Sequence, residues 1–132
     1  MSTEMRSVLV VDDEPFIRQS FVDFFEDRLW QALPAESGEE ALEAVRRESP
    51  QCAIVDIRLG GMDGDAFIRE AVKMNPKMAF VICTGSPEYG VPADLLALPS
   101  VCNHIYLKPV TNIAELEQGL LQMMDTLNAG SG

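Results

Sequence analysis

Four short apolar runs punctuate this chain, and each stops on a polar residue. Residues 8–11 end at Asp12-Asp13, residues 52–55 at Asp56, residues 79–83 at Thr84-Gly85, and residues 105–107 at Lys108-Pro109. Runs that are apolar at nearly every position suit strands buried on both faces, as in a parallel sheet. Between them the period lengthens. Ile17, Phe21, Phe24 and Phe25 form one face of a helix that starts near Pro15 and runs to about Arg28. A second helix starts at Ser37 or Gly38, with Ala41, Leu42 and Val45 inward, and ends at Ser49-Pro50. A third spans about 65–74, closed by Asn75-Pro76. The last spans about 112–127, with Ile113, Leu116, Leu120, Met124 and Leu127 in one stripe that Glu117 interrupts.

Two segments read weakly. Residues 29–35 form a strand, but Pro34 cannot donate to a ladder, so this strand belongs at an edge. Between Ser86 and Asn103 the prolines at 87, 92 and 99 leave room for only a short helix near 93–98. The last strand is then expected over about 104–107. Strands alternate with helices throughout, which predicts an α/β three-layer sandwich around a five-stranded parallel sheet. With the prolyl strand second in the chain and at an edge, the order is 2-1-3-4-5. Its switch point brings Asp12, Asp13 and Asp56 to one crevice at the carboxyl ends of the strands.

Composition narrows the setting. The chain has 132 residues, 47% of them hydrophobic, enough for one domain with one sizeable core. Residues 1–127 are expected to form that domain, with 128–132 a flexible tail or the start of a linker. No apolar stretch approaches a membrane span, and residues 1–6 lack the core of a signal peptide, so a cytoplasmic location is expected. The formal net charge of -11 argues against direct nucleic-acid or anionic-membrane binding. Cys52, Cys83 and Cys102 are odd in number and far apart, so they read as reduced thiols.

Three clustered carboxylates repel one another unless protonated or neutralised by a cation. An all-oxygen ligand set with no His or Cys beside it in sequence suits Mg²⁺. Lys108 adds a positive charge, Thr84 a hydroxyl donor, and Gly85 leaves space for phosphoryl oxygens. The set describes a phosphoryl pocket beside a carboxylate nucleophile, Asp56. Each motif alone has a plainer reading: Asp12-Asp13 before Pro15 serves equally as a helix cap, and Thr84 as a turn residue. Their occurrence together, each at a strand end, favours the chemical reading.

Val10-Val11-Asp12-Asp13-Glu14, Asp56-Ile57-Arg58-Leu59, Met62-Asp63-Gly64, Thr84-Gly85 and Lys108-Pro109 resemble, in order and spacing, the receiver domain of two-component response regulators, the CheY-like family. Ser37-Gly38-Glu39-Glu40-Ala41-Leu42 resembles that family's second-helix start. The resemblance covers nearly the whole chain. It implies a flavodoxin-like fold and a regulatory phosphoacceptor that promotes its own phosphotransfer and dephosphorylation. Asp56 would take the phosphoryl group from a sensor histidine kinase or a histidine phosphotransfer protein. Asp13, Asp56 and the backbone carbonyl of Arg58 would ligate Mg²⁺, with Asp12 helping through water. Thr84 and Lys108 would contact the phosphoryl group, and the Lys108-Pro109 bond would be cis. Many members dimerise on phosphorylation, so a homodimer belongs among the expectations.

The chain departs from the family pattern in places. The family's aromatic switch position is Ile105, and Tyr106 is one residue later, where strand alternation points it the other way. Arg58 and Ser86 occupy positions that influence phosphate lifetime. Three other classes compete. A haloacid-dehalogenase-type phosphatase would need a second Asp where Arg58 stands. A flavodoxin-like cofactor binder would set an FMN phosphate against Asp12-Asp13. A pseudo-receiver would not need the full set of acids, Thr84 and Lys108.

Overall fold

A computed structural model describes residues 5–130, with side chains through Asn128. The element order is β1 (Ser7–Val11), α1 (Pro15–Asp27), β2 (Gln31–Ala35), α2 (Gly38–Glu48), β3 (Cys52–Val55), α3 (Gly64–Met74), β4 (Ala79–Thr84), α4 (Ala93–Leu96), β5 (Val101–Leu107) and α5 (Ile113–Gly130). The five strands pair in parallel in the order β2-β1-β3-β4-β5, as the sequence predicts.

The alternation of the buried strands builds two cores. Leu9, Val11, Ala53, Val55, Phe80 and Ile82 point to one face and pack with Ala41, Val45, Phe67 and Ile68 of α2 and α3. Val8, Val10, Cys52, Ile54, Val81 and Cys83 point to the other and pack with Phe21 and Phe25 of α1 and Leu116 and Leu120 of α5. Every residue of β1, β3 and β4 is buried, which is why these runs carry no polar alternation. Pro34 lies exposed on β2, at the sheet edge, where its missing N–H disturbs no second ladder.

The helix ends follow their local chemistry. Pro15 opens α1. Ser37 caps α2 by accepting from the Glu40 N–H at 3.1 Å, and Asp63 caps α3 by accepting from Ala66 at 2.8 Å. Ser49 ends α2 in a left-handed conformation, φ 48°.

Three boundaries differ from the sequence reading. β5 starts at Val101 rather than near 104, because its ladder is irregular: it advances from 101 to 105 while β4 advances from 80 to 82. The irregularity, the half-buried Cys102 and the exposed Asn103 hide the strand period. α4 is a single turn, shorter than expected. α5 stays helical to Gly130, so the expected tail at 128–132 begins inside the helix; residues 131 and 132 lie outside the described residues, as do residues 1–4.

Candidate functional site

The sheet register places every candidate side chain. Asp12 follows β1, Asp56 follows β3, Thr84 is the last residue of β4, and Lys108 follows β5. Each strand extends one hydrogen bond beyond its regular end: Asp12 N–H donates to the Ala35 carbonyl at 3.1 Å, Asp56 to Val11 at 2.9 Å and Lys108 to Thr84 at 2.9 Å. Four residues from distant parts of the chain are thereby fixed along one sheet rim.

Lys108 Nζ sits 2.8 Å from Asp12 Oδ2 and 3.2 Å from Asp56 Oδ2. The other Asp12 oxygen accepts from the Glu14 N–H at 2.9 Å, and the other Asp56 oxygen from the Arg58 N–H at 3.3 Å. Arg18 reaches back from α1 and donates to the Asp12 carbonyl at 2.8 Å, tying the turn that carries the two acids to its helix. Asp12 and Asp56 are buried, whereas Asp13 is exposed. Burial pushes the Asp56 carboxyl above its ordinary pKa, and the neighbouring Asp12 charge adds to this against the opposing pull of Lys108. Burial works against the charge of Lys108, but its carboxylate partners, Asp12 foremost, outweigh it and hold the ammonium above its ordinary value.

The acids open onto a recess of about 520 Å³ bordered by Asp13, Glu14, Asp56, Arg58, Gly85 and Lys108. A side chain at Gly85 would meet nothing within 4 Å, so the recess stays open above Thr84. Thr84 is fully buried, and its Oγ1 accepts from the Ser86 N–H at 3.2 Å. Ligand oxygens of Asp12, Asp13 and Asp56 lie within 4.8 Å of one another. Hard oxygen donors beside an open recess fit a small divalent cation that keeps several waters. The Lys108-Pro109 peptide is cis.

Asp12, Asp13, Asp56, Arg58 and Lys108 therefore converge, and Thr84 stands on the same sheet rim, lining the adjoining recess. Ile105 and Tyr106 do not. Ile105 stands beside Ile82 and packs on the core face shared with α2 and α3. Tyr106 pairs with Cys83 and packs on the α5 face, its hydroxyl directly over Gly119. Strand alternation separates the two residues as expected, and neither borders the recess.

Three neighbours of the site did not emerge from the sequence. Arg18 lies on a helix face that its spacing marks only as polar. Glu88 forms an ion pair with Arg58 at 3.7 Å across the recess mouth. Tyr89 donates its phenol to Asp65 at 2.5 Å, fastening the loop after β4 to the start of α3. They sit in irregular segments or make tertiary pairs, for which a sequence carries no periodic signal.

A sequence profile described as the response regulator receiver domain matches residues 8–118. The chain is 27% identical over 128 residues to an uncharacterised transcriptional regulatory protein, YesN, of Bacillus subtilis, covering 90% of this chain and 33% of that protein. It is 29% identical over 127 residues to a protein-glutamate methylesterase/protein-glutamine glutaminase of Cereibacter sphaeroides, covering 94% and 34%. It thus spans about a third of the length of these relatives. Among solved structures, the fold matches a CheY-like receiver domain of Methanospirillum hungatei with TM-score 0.80 at 24% identity, covering 96% of this chain and 99% of that one. It also matches the Thermotoga maritima response regulator TrrA, solved in complex with Mg²⁺-BeF, with TM-score 0.76 at 26% identity, covering 90% and 99%. With the profile covering most of the chain and the CheY-like sheet order in place, the chain belongs to the response regulator receiver domain family, the phosphoacceptor modules of two-component signalling.

Proposed function

We propose that Asp56 is the phosphoacceptor, and that this chain is a receiver unit whose phosphorylation changes its contacts with a partner or effector. One observation carries the reading: a buried carboxylate at a strand end, held by a lysine ammonium and facing an open recess whose rim includes Asp13 and Gly85. An Asp56 oxygen attacks the phosphorus of a phosphohistidine; the O–P bond forms, the P–N bond breaks, and the imidazole leaves with a proton. Lys108 is already 3.2 Å from Asp56 and meets the charge that spreads over the phosphoryl oxygens. Thr84 and the Gly85 backbone offer further donors. Asp12, Asp13, Asp56 and the Arg58 carbonyl are the groups that would hold Mg²⁺. When bound, the ion neutralises the clustered acids and the phosphoryl charge.

The donor is a histidine kinase or histidine phosphotransfer protein, the partner class of the family. The chain assists its own phosphotransfer and dephosphorylation and acts in the cytoplasm, without binding nucleic acid directly. A homodimer formed on phosphorylation belongs to the same proposal, as does a receiver unit spanning residues 1–127. Among the described residues, no helix is long and apolar enough to cross a membrane. Intact-mass analysis after incubation with acetyl phosphate tests the central step. The expected result is one phosphoryl adduct on wild type that requires Mg²⁺ and is absent from Asp56→Asn. Wild type that binds Mg²⁺ yet takes no adduct, from acetyl phosphate or from a kinase, would make this a binding module of the same fold.

A further inference from the structure

The aromatic position on β5 is Ile105, an aliphatic side chain that packs on the α2/α3 face, and Tyr106 faces α5. The aromatic ring near Thr84 comes from another element. Tyr89 packs on the same core face as Ile105. Tyr89, Thr84, Ile57, Ser86 and Asp65 border a recess of about 290 Å³ that adjoins the one over Asp56, sharing Arg58, Ser86 and Glu88 with it. A cavity of about 150 Å³ accepts a benzene ring, so this one has room for a phenol.

Two chains of contacts run from the acceptor to Tyr89. Along the first, Thr84 Oγ1 accepts from the Ser86 N–H at 3.2 Å, and the Ser86 carbonyl accepts from the Tyr89 N–H at 3.1 Å. Turning the Thr84 hydroxyl toward a phosphoryl oxygen withdraws an acceptor from that turn, and the turn must readjust. Along the second, α3 is set directly against Asp56. A Cβ on Gly64 would stand 2.5 Å from the Asp56 carbonyl oxygen and 2.9 Å from Ile57 Cα. Asp65 follows in sequence, so it is an anchor fixed to the acceptor's own backbone, and Tyr89 is the partner free to move.

The loop between β4 and α4 that carries Tyr89 is lightly held. Arg58 and Glu88 are 72% and 76% exposed, and such a pair contributes little; α4 beyond the loop is held more firmly, by the buried Leu95 and by Arg69, which donates to both Asp94 oxygens at 2.8 and 3.1 Å. α4 itself is one turn. The partly buried Tyr89–Asp65 hydrogen bond, donated to a charged acceptor, ties this loop to α3. Burial, aided by the Asp65 carboxylate, pushes the phenol's pKa up, so it stays a donor.

We propose that Tyr89 reads the state of Asp56: when Asp56 carries a phosphoryl group, the phenol leaves Asp65 and turns into the recess beside Thr84, freeing the loop between β4 and α4 from α3. This rests on the phosphoacceptor reading above.

The chain has two tyrosines, so a chain labelled with 3-fluorotyrosine gives two ¹⁹F signals, assigned with Tyr106→Phe. Mg²⁺ with beryllium fluoride, a phosphoryl mimic, reports its own binding through the bound fluoride signal in the same spectrum. The expected result is a new position for the Tyr89 signal on binding, with Tyr106 unmoved. Tyr89→Phe, which keeps the ring and loses the hydroxyl, is expected to take the acetyl phosphate adduct as wild type does. Its amide exchange over the loop, residues 86–91, in Mg²⁺ alone should be about tenfold faster than wild type. Bound fluoride with an unmoved Tyr89 signal overturns the proposal, and so does wild-type exchange in Tyr89→Phe. Absence of any bound fluoride in wild type and Tyr106→Phe instead overturns the phosphoacceptor reading, and this inference falls with it.

Discussion

At the residue scale, the electrostatics of Asp56 set up a trade between function and stability. Its folded pKa is raised, so the folded chain holds the proton more tightly than the unfolded chain does. Stability then falls as pH rises through the interval between the unfolded and folded values, and the full cost is present above it. Asp56→Asn removes that cost. In metal-free buffer the variant should melt above wild type at neutral pH, and the gap should close as pH drops below the unfolded carboxylate value of about 3.9. Thermal melts across pH check this. Glu117 is a second such residue. The apparent flaw in the α5 stripe is a buried carboxylate that accepts from the Trp30 indole N–H at 2.9 Å and pairs with Arg28 Nε at 2.9 Å. Glu117→Leu leaves the buried indole N–H without its acceptor and should cost about 1–3 kcal/mol in urea unfolding, while Glu117→Gln should cost less. Neither should change phosphoryl labelling, since Glu117, Trp30 and Arg28 do not border the recess over Asp56.

At the element scale, the β3–α3 connection is the part with least tolerance. Gly61 adopts φ +75°, a backbone region that side chains disfavour, and its neighbour Met62 packs on Gly38 at the start of α2. Gly64 lets α3 begin directly against the Asp56 backbone. Gly64→Ala should destabilise by about 1–3 kcal/mol through overpacking and weaken Mg²⁺ binding, because the loop that carries the Arg58 carbonyl must shift. Chemical unfolding and Mg²⁺ titration by calorimetry would measure both. The short α4 is the opposite case. Prolines at 87, 92 and 99 restrict it, and its exposed Leu96 and the open groove beside β5 show that this edge of the sheet is thinly covered.

At the scale of the whole molecule, the charge of -11 and the acidic rim work in the same direction. Both make cation binding stabilising, and a ligand that binds only the folded state stabilises by about 2.7 kcal/mol at a hundred times its Kd. The melting temperature should rise with Mg²⁺ at constant ionic strength, and rise much less in Asp13→Asn, whose carboxylate is exposed at the recess and available to the ion. Matched sodium chloride controls separate this from general screening.

The sequence by itself determined the parallel sheet, its strand order and the identity of the converging polar residues. Strands buried on both faces leave continuous apolar runs, and a polar residue that ends such a run must lie at the sheet rim. The edge position of β2 was legible from Pro34 alone. What only the tertiary structure decided are the pairs that join residues with no shared periodicity: Arg58 with Glu88, Tyr89 with Asp65, Glu117 with Trp30. The early start of β5 was hidden for a related reason, since an irregular ladder breaks the period that marks a strand. Periodic burial is written locally along the chain. A contact between one side chain on a loop and one on a helix exists only once the backbone between them has been placed.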